Sequence, residues 1–191
     1  MTRFWFVRHG PTHAKAMVGW TDIPADLSDT AQLARLSEHL PSDALLISSD
    51  LSRTRATADA IAGQRQRLPD DPDLREINFG EWEMLHHTEI EARDPDRIRA
   101  YWDQPGDVRA PGGESWNETA ARVSAAVDRL HSQHAGRDII IVAHFGAILT
   151  QVQRALDIPA YDAFAHRIDN LSVTEISHDG HWQIGTINHI P

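Results

Sequence analysis

The residues best suited to chemistry follow three apolar runs. Arg8-His9-Gly10 comes directly after Phe4 to Val7, and Ser48-Ser49 follows Ala44 to Ile47, just ahead of Arg53. His144-Phe145-Gly146 closes the run Ile139-Ile140-Ile141-Val142-Ala143. Guanidinium groups match phosphate oxygens as a planar fork and stay charged at any working pH. An imidazole held among such cations can attack phosphorus and carry the phosphoryl group as a phosphohistidine. The cations offset charge spreading onto the equatorial oxygens. A leaving alkoxide needs a proton, so a carboxylic acid should stand close, kept neutral by burial or by anionic neighbours. Glu76 is the candidate, with Glu81 and Glu83 nearby as rivals.

The elements that must position these groups are legible from periodicity. Phe4 to Val7 reads as a strand and Asp29 to Leu40 as a helix with Leu33, Leu36 and Leu40 on one face. Ala44 to Ser48 is a second strand. Arg53 to Ala62 is a helix capped by Asp50 or Ser52 and closed by Gly63. Ser115 and Glu118 form a capping box that starts a helix burying Val123, Ala126, Val127 and Leu130. The dense run from Asp138 to Ala143 suits a strand covered on both faces, and Gly146 to Leu156 is the next helix. Two final strands, Ser172 to Ser177 and Trp182 to Ile187, flank Asp179-Gly180. Strands alternating with helices predict an α/β domain, a three-layer α/β/α sandwich around a mostly parallel sheet. One domain over residues 1–191 is expected, with residues 69–113 as short helices and loops inserted over one end of the sheet. Ligands of such sheets sit at the carboxyl ends of the strands, where both histidines and both arginines are delivered.

These motifs resemble, in order, the signatures of the histidine phosphatase superfamily, the phosphoglycerate mutase-like proteins. Phe6 to Thr12 is similar to the first motif, Ser48 to Ala58 to the second, Leu74 to Trp82 to the third and Val142 to Gly146 to the fourth. The resemblance implies His9 as nucleophile, Arg8, Arg53 and His144 as phosphate clamp, and Glu76 as proton donor. Thr12 would add a hydroxyl contact. Arg55, two residues beyond Arg53, would turn away on a helix. Two positions depart from the pattern: Pro11 replaces a usual glutamate, and Lys15 a phosphate-binding asparagine. Lys15 would then bind phosphate as a point charge.

Phe79 stands where the mutases have a tyrosine, which favours a phosphatase. Phe79 to His87 looks like the corresponding stretch of the α-ribazole phosphatase branch, implying α-ribazole 5′-phosphate, a precursor of the cobalamin lower ligand, as substrate. Trp20, Trp82, Trp102 and Trp116 would supply an aromatic wall for its base. The alternatives are a phosphoglycerate mutase or sugar-phosphate phosphatase of the same fold, or a phosphate-binding module without turnover.

The remaining composition narrows the partners. A formal charge of −10 speaks against nucleic acid or anionic lipid as the main partner. With no cysteine there is no disulfide and no thiolate site. His86-His87 and His131 with His134 lack carboxylate partners at metal-ligand spacing, so no metal and no cofactor are expected. No apolar run spans a bilayer or resembles a signal peptide, so a cytoplasmic enzyme acting on a small phosphorylated metabolite is expected. Its oligomeric state is open, a homodimer included.

Overall fold

The computed structural model describes residues 1–191. Its sheet has six strands: β1 (Thr2–Arg8), β2 (Leu45–Ser48), β3 (Gln66–Arg67), β4 (Asp138–Ala143), β5 (Val173–His178) and β6 (Trp182–Ile184). They are ordered β3-β2-β4-β1-β5-β6. The first four in that order pair in parallel; β5 and β6 are antiparallel additions. The sheet is therefore mixed around a parallel centre. The short edge strand β3 gave no sequence signal, since Gln66 and Arg67 have no apolar alternation to reveal it.

Side chains on a strand alternate between faces, and both faces here are covered. Phe4, Phe6, Ile47, Ile139 and Ile141 face one layer, with α5 (Trp116–Gln133) and α6 (Phe145–Leu156). Val7, Leu46, Ile140 and Val142 face the other, with α1 (Thr30–His39) and α2 (Ser52–Ala60). Ile139, Ile140 and Ile141 are all fully buried, which explains the unbroken apolar run. Truncating any of them to alanine would cost about 2–5 kcal/mol.

Local signals set most boundaries. Asp29 caps α1, accepting from the Gln32 N–H, and Ser115 and Glu118 form the expected capping box of α5. The expected cap of α2 is corrected: Leu51 holds that position with no side-chain bond, because Asp50 is drawn to Arg75 and Ser52 lies inside the helix. Between β3 and α5 lie two 3-10 turns, Pro72–Leu74 and Gly80–Trp82, and helices α3 (His87–Arg93) and α4 (Pro95–Asp103). After α6 comes the single turn α7 (Ala160–Ala163). No helix is long and apolar enough to cross a membrane.

Candidate active site

Register decides what meets at the sheet's rim. Arg8 stands opposite Ala143 and Ser48 opposite Val142, in parallel strands. The next residues, His9, His144 and Ser49, therefore leave the sheet together. The two imidazole rings lie 5.2 Å apart, centroid to centroid.

His9 is 6% exposed, and its Nδ1 lies 2.7 Å from the Gly10 carbonyl oxygen. A carbonyl only accepts, so Nδ1 carries the proton and Nε2 keeps its lone pair. Burial first, then the Arg53 charge and more weakly that of Arg8, lower the His9 pKa to about 3, while the Gly10 bond acts in the opposite direction. At neutral pH the ring is therefore uncharged. The turn is fixed from several sides. The Gly10 N–H donates to Thr57 Oγ1 at 3.0 Å, and Asn170 Nδ2 donates to the His9 carbonyl at 2.8 Å. Leu171 beside it is buried at φ 60°, a left-handed conformation rarely adopted by leucine, with its N–H on the Arg8 carbonyl. Such strain costs about 1–3 kcal/mol and persists only where its surroundings dictate it.

Both arginines are held by backbone carbonyls rather than carboxylates, so their charge is not cancelled by an ion pair. Arg53 is 1% exposed and donates to the Thr21 oxygen at 3.0 Å and the Gly19 oxygen at 2.6 Å. Arg8 donates to the Ile168 oxygen at 2.6 Å and lies over the Phe145 ring, while its buried Nε has no partner. Burial lowers the pKa of each, and the Glu76 charge opposes this.

His144 is fully buried and starts α6 without capping it. Its Nε2 lies 2.8 Å from Ser49 Oγ, which in turn is 2.6 Å from Thr54 Oγ1; Nδ1 has no partner. Burial, followed by the His9 and Arg53 charges, holds this imidazole well below its usual pKa.

Glu76 lines the same cleft and is 7% exposed, so of the two expected settings it has burial. Its carboxylate accepts the N–H groups of Ile77 at 3.0 Å, and of Gly146 and Ala147 at 3.1 Å, in the first turn of α6. That approach requires Gly146, where a Cβ would stand 2.6 Å from Glu76 Oε1. All bonded partners of the Glu76 carboxylate are backbone N–H donors.

Thr12, Ala14, Ala16, Met17, Val18, Phe79, Trp102 and Phe145 complete a cleft of about 240 Å³ around Arg8, His9, Arg53 and Glu76. Lys15 is exposed and does not line it. Of the four tryptophans expected in an aromatic wall, only Trp102 does; Trp82 and Trp116 are core, and Trp20 donates to the Glu76 carbonyl beneath the Arg75 guanidinium. Arg55 turns away to Asp70.

Several supporting roles, including that of Glu83, the rival to Glu76, escaped the sequence reading because the partners are mostly distant in the chain. Glu83 accepts from the N–H groups of Gly19, Trp20 and Phe79 and from the Thr21 hydroxyl, clasping the loop that holds Arg53. Arg122, paired with Glu114, donates to the carbonyls of Asp73, Arg75 and Glu76. Asn170 carried no motif at all. Elsewhere, His86 caps α3 and His131 bonds Thr2.

The model of the histidine phosphatase superfamily (branch 1) matches residues 4–189, and the chain belongs to that family. It is 30% identical over 175 residues to the adenosylcobalamin/alpha-ribazole phosphatase of Salmonella typhimurium, covering 87% of this chain and 86% of the relative. Among solved structures it is similar to Bacillus stearothermophilus YhfR, with a TM-score of 0.92 at 26% identity, covering 100% of this chain and 98% of that one. The mycobacterial glucosyl-3-phosphoglycerate phosphatase matches with a TM-score of 0.85 at 28% identity, covering 99% of each chain.

Proposed function

We propose that this phosphatase-family chain hydrolyses a small phosphomonoester through a phosphohistidine on His9, without a metal ion. The observation that carries the reading is the fixed His9 tautomer. Nδ1–H is committed to the Gly10 carbonyl, and Nε2 keeps its lone pair in a cleft lined by two arginines without carboxylate partners.

In the first step Nε2 attacks phosphorus and the bond to the leaving oxygen breaks, with Glu76 delivering its proton to that oxygen. Arg8 and Arg53 neutralise the equatorial oxygens, and a proton on His144 Nδ1 would donate to one of them. As Nε2 gains phosphorus the ring becomes cationic, a change the Nδ1–H bond to Gly10 supports. In the second step water attacks phosphorus, Glu76 takes the water's proton, and His9 leaves with its electron pair.

For the cognate substrate, α-ribazole 5′-phosphate is the finer reading, supported by the Salmonella relative and by Phe79 and Trp102 in the cleft. A mutase acting on phosphoglycerates fits less well, because Arg8 and Arg53 are the only cationic side chains lining the cleft and the reacting phosphate occupies both. The test is hydrolysis of α-ribazole 5′-phosphate, 3-phosphoglycerate and p-nitrophenyl phosphate with and without EDTA, with protein quenched in alkaline denaturant, where a P–N bond survives, assayed for phosphohistidine. Turnover insensitive to EDTA, with label on His9, is expected. Metal-dependent turnover, or label elsewhere, would overturn the mechanism.

A further inference from the structure

A second cleft of about 500 Å³ opens beside the first, lined by Trp102, Asp103, Tyr161, Asp162, Phe164 and Ala165. The two share Trp102. Its ring centroid is 6.4 Å from that of Phe79, on the catalytic side, and 5.6 Å from that of Phe164, on the outer side. Aromatic surface therefore runs without a break from the phosphate cleft to the outer one. Tyr161 is 60% exposed, in a protein with few large apolar side chains left in water. Neither Asp103 nor Asp162 forms a salt bridge, and no lysine or arginine lines this cleft. Charge thus changes sign along the groove, with two arginines inside and two carboxylates outside.

Resting on the phosphatase reading, we propose that the outer cleft is the leaving-group subsite, selecting esters of aromatic, hydroxyl-bearing or cationic alcohols and rejecting acidic ones. Trp102, Tyr161 and Phe164 offer faces for a ring to stack on, which suits any planar base. Asp103 and Asp162 accept from sugar-type hydroxyls or attract a cation, which the aromatic faces also favour. The same carboxylates repel a leaving group bearing a carboxylate or second phosphate, and this discrimination should fade with salt.

The experiment compares kcat/KM for 1-naphthyl phosphate, ethyl phosphate, phosphocholine and 3-phosphoglycerate across the wild type, the double variant Asp103→Asn/Asp162→Asn, and Tyr161→Ala. Each comparison is made within one substrate, so leaving-group reactivity cancels. In the double variant at low salt, 3-phosphoglycerate should gain and phosphocholine lose about three- to tenfold, and both changes should shrink at 0.5 M salt. Tyr161→Ala should cost the naphthyl ester about fivefold or more relative to ethyl phosphate. Unchanged ratios in both variants, with ester turnover intact, would overturn the subsite and leave the phosphatase reading standing. No turnover of any ester by the wild type would overturn that reading and the subsite with it.

Discussion

Ser49 Oγ lies 2.8 Å from His144 Nε2, and the ring's other nitrogen is buried without a partner. Thr54 Oγ1, 2.6 Å from Ser49 Oγ, extends the chain by a second hydroxyl. The Leu51 carbonyl, 2.8 Å from Thr54 Oγ1, competes for the Thr54 proton; where Thr54 donates to Ser49 instead, Ser49 donates to Nε2 and the imidazole proton sits on Nδ1, where a phosphate oxygen can accept it. Ser49→Ala removes that control and leaves Nε2 unsatisfied, a loss of about 1–3 kcal/mol. The expected outcome is a roughly tenfold weaker inhibition constant for orthophosphate. A change below twofold would mean that Ser49 only packs.

Gly146 presents a conflict between helix propensity and site geometry. Alanine in a helix normally gains about 1 kcal/mol over glycine, yet here its Cβ would crowd Glu76 Oε1 at 2.6 Å and Ile77 Cδ1 at 2.8 Å. The clash should win and push the carboxylate off the two α6 N–H groups. Gly146→Ala is therefore expected to resemble Glu76→Gln. Both should lose about a hundredfold in kcat on alkyl phosphates, within the usual range for general acid catalysis, and far less on p-nitrophenyl phosphate, whose leaving group needs little protonation. Parallel losses on both esters would argue against Glu76 as the acid.

Acid should destabilise the protein through its two site histidines. The His9 pKa is lowered from 6.5 to about 3, and that of His144 moves in the same direction. Between the unfolded and folded values the unfolded chain binds the extra protons. Stability is therefore full above about pH 6.5 and falls as pH drops toward 3, by up to about 1.4 kcal/mol per pH unit for each histidine. Melting temperatures measured from pH 7 to pH 4.5 should show this slope. His9→Asn should flatten it by up to one proton; an unchanged slope would mean that His9 is charged in the native state.

Glu83 and Glu81 should separate cleanly. Glu83→Ala releases the loop whose Gly19 and Thr21 carbonyls hold Arg53, so KM should rise about tenfold or more. Glu81 is exposed and away from this clasp, and Glu81→Ala should stay within about twofold. Equal effects of the two would remove the clasp from the account of Arg53.

What the sequence revealed and what it hid follow one distinction. His9, Ser49 and His144 could be placed together because each follows an apolar run, and parallel strands bring such ends to one rim. The capping box at Ser115 and Glu118 is equally local. Lys15 and the tryptophans could not be sorted, because exposure is decided by packing; indole suits a core and a cleft equally well. Glu76 was legible as a carboxylate, but its three N–H donors come partly from residues seventy positions later in the chain. Glu83, Asn170 and Arg122 act on backbone atoms far away, which leaves no spacing to read.

The turn that carries His9 also depends on the order in which its contacts become available. Arg8 donates to the Ile168 carbonyl across 160 positions, and Asn170 reaches the His9 carbonyl across 161. These two braces are therefore synthesised well after the His9 turn they hold. A chain whose Ile168 has not yet left the ribosome lacks these two braces, though Thr57 can already meet the Gly10 N–H. Such long-range contacts form late and slow folding, so this chain should gain catalytic competence only at the close of its own folding.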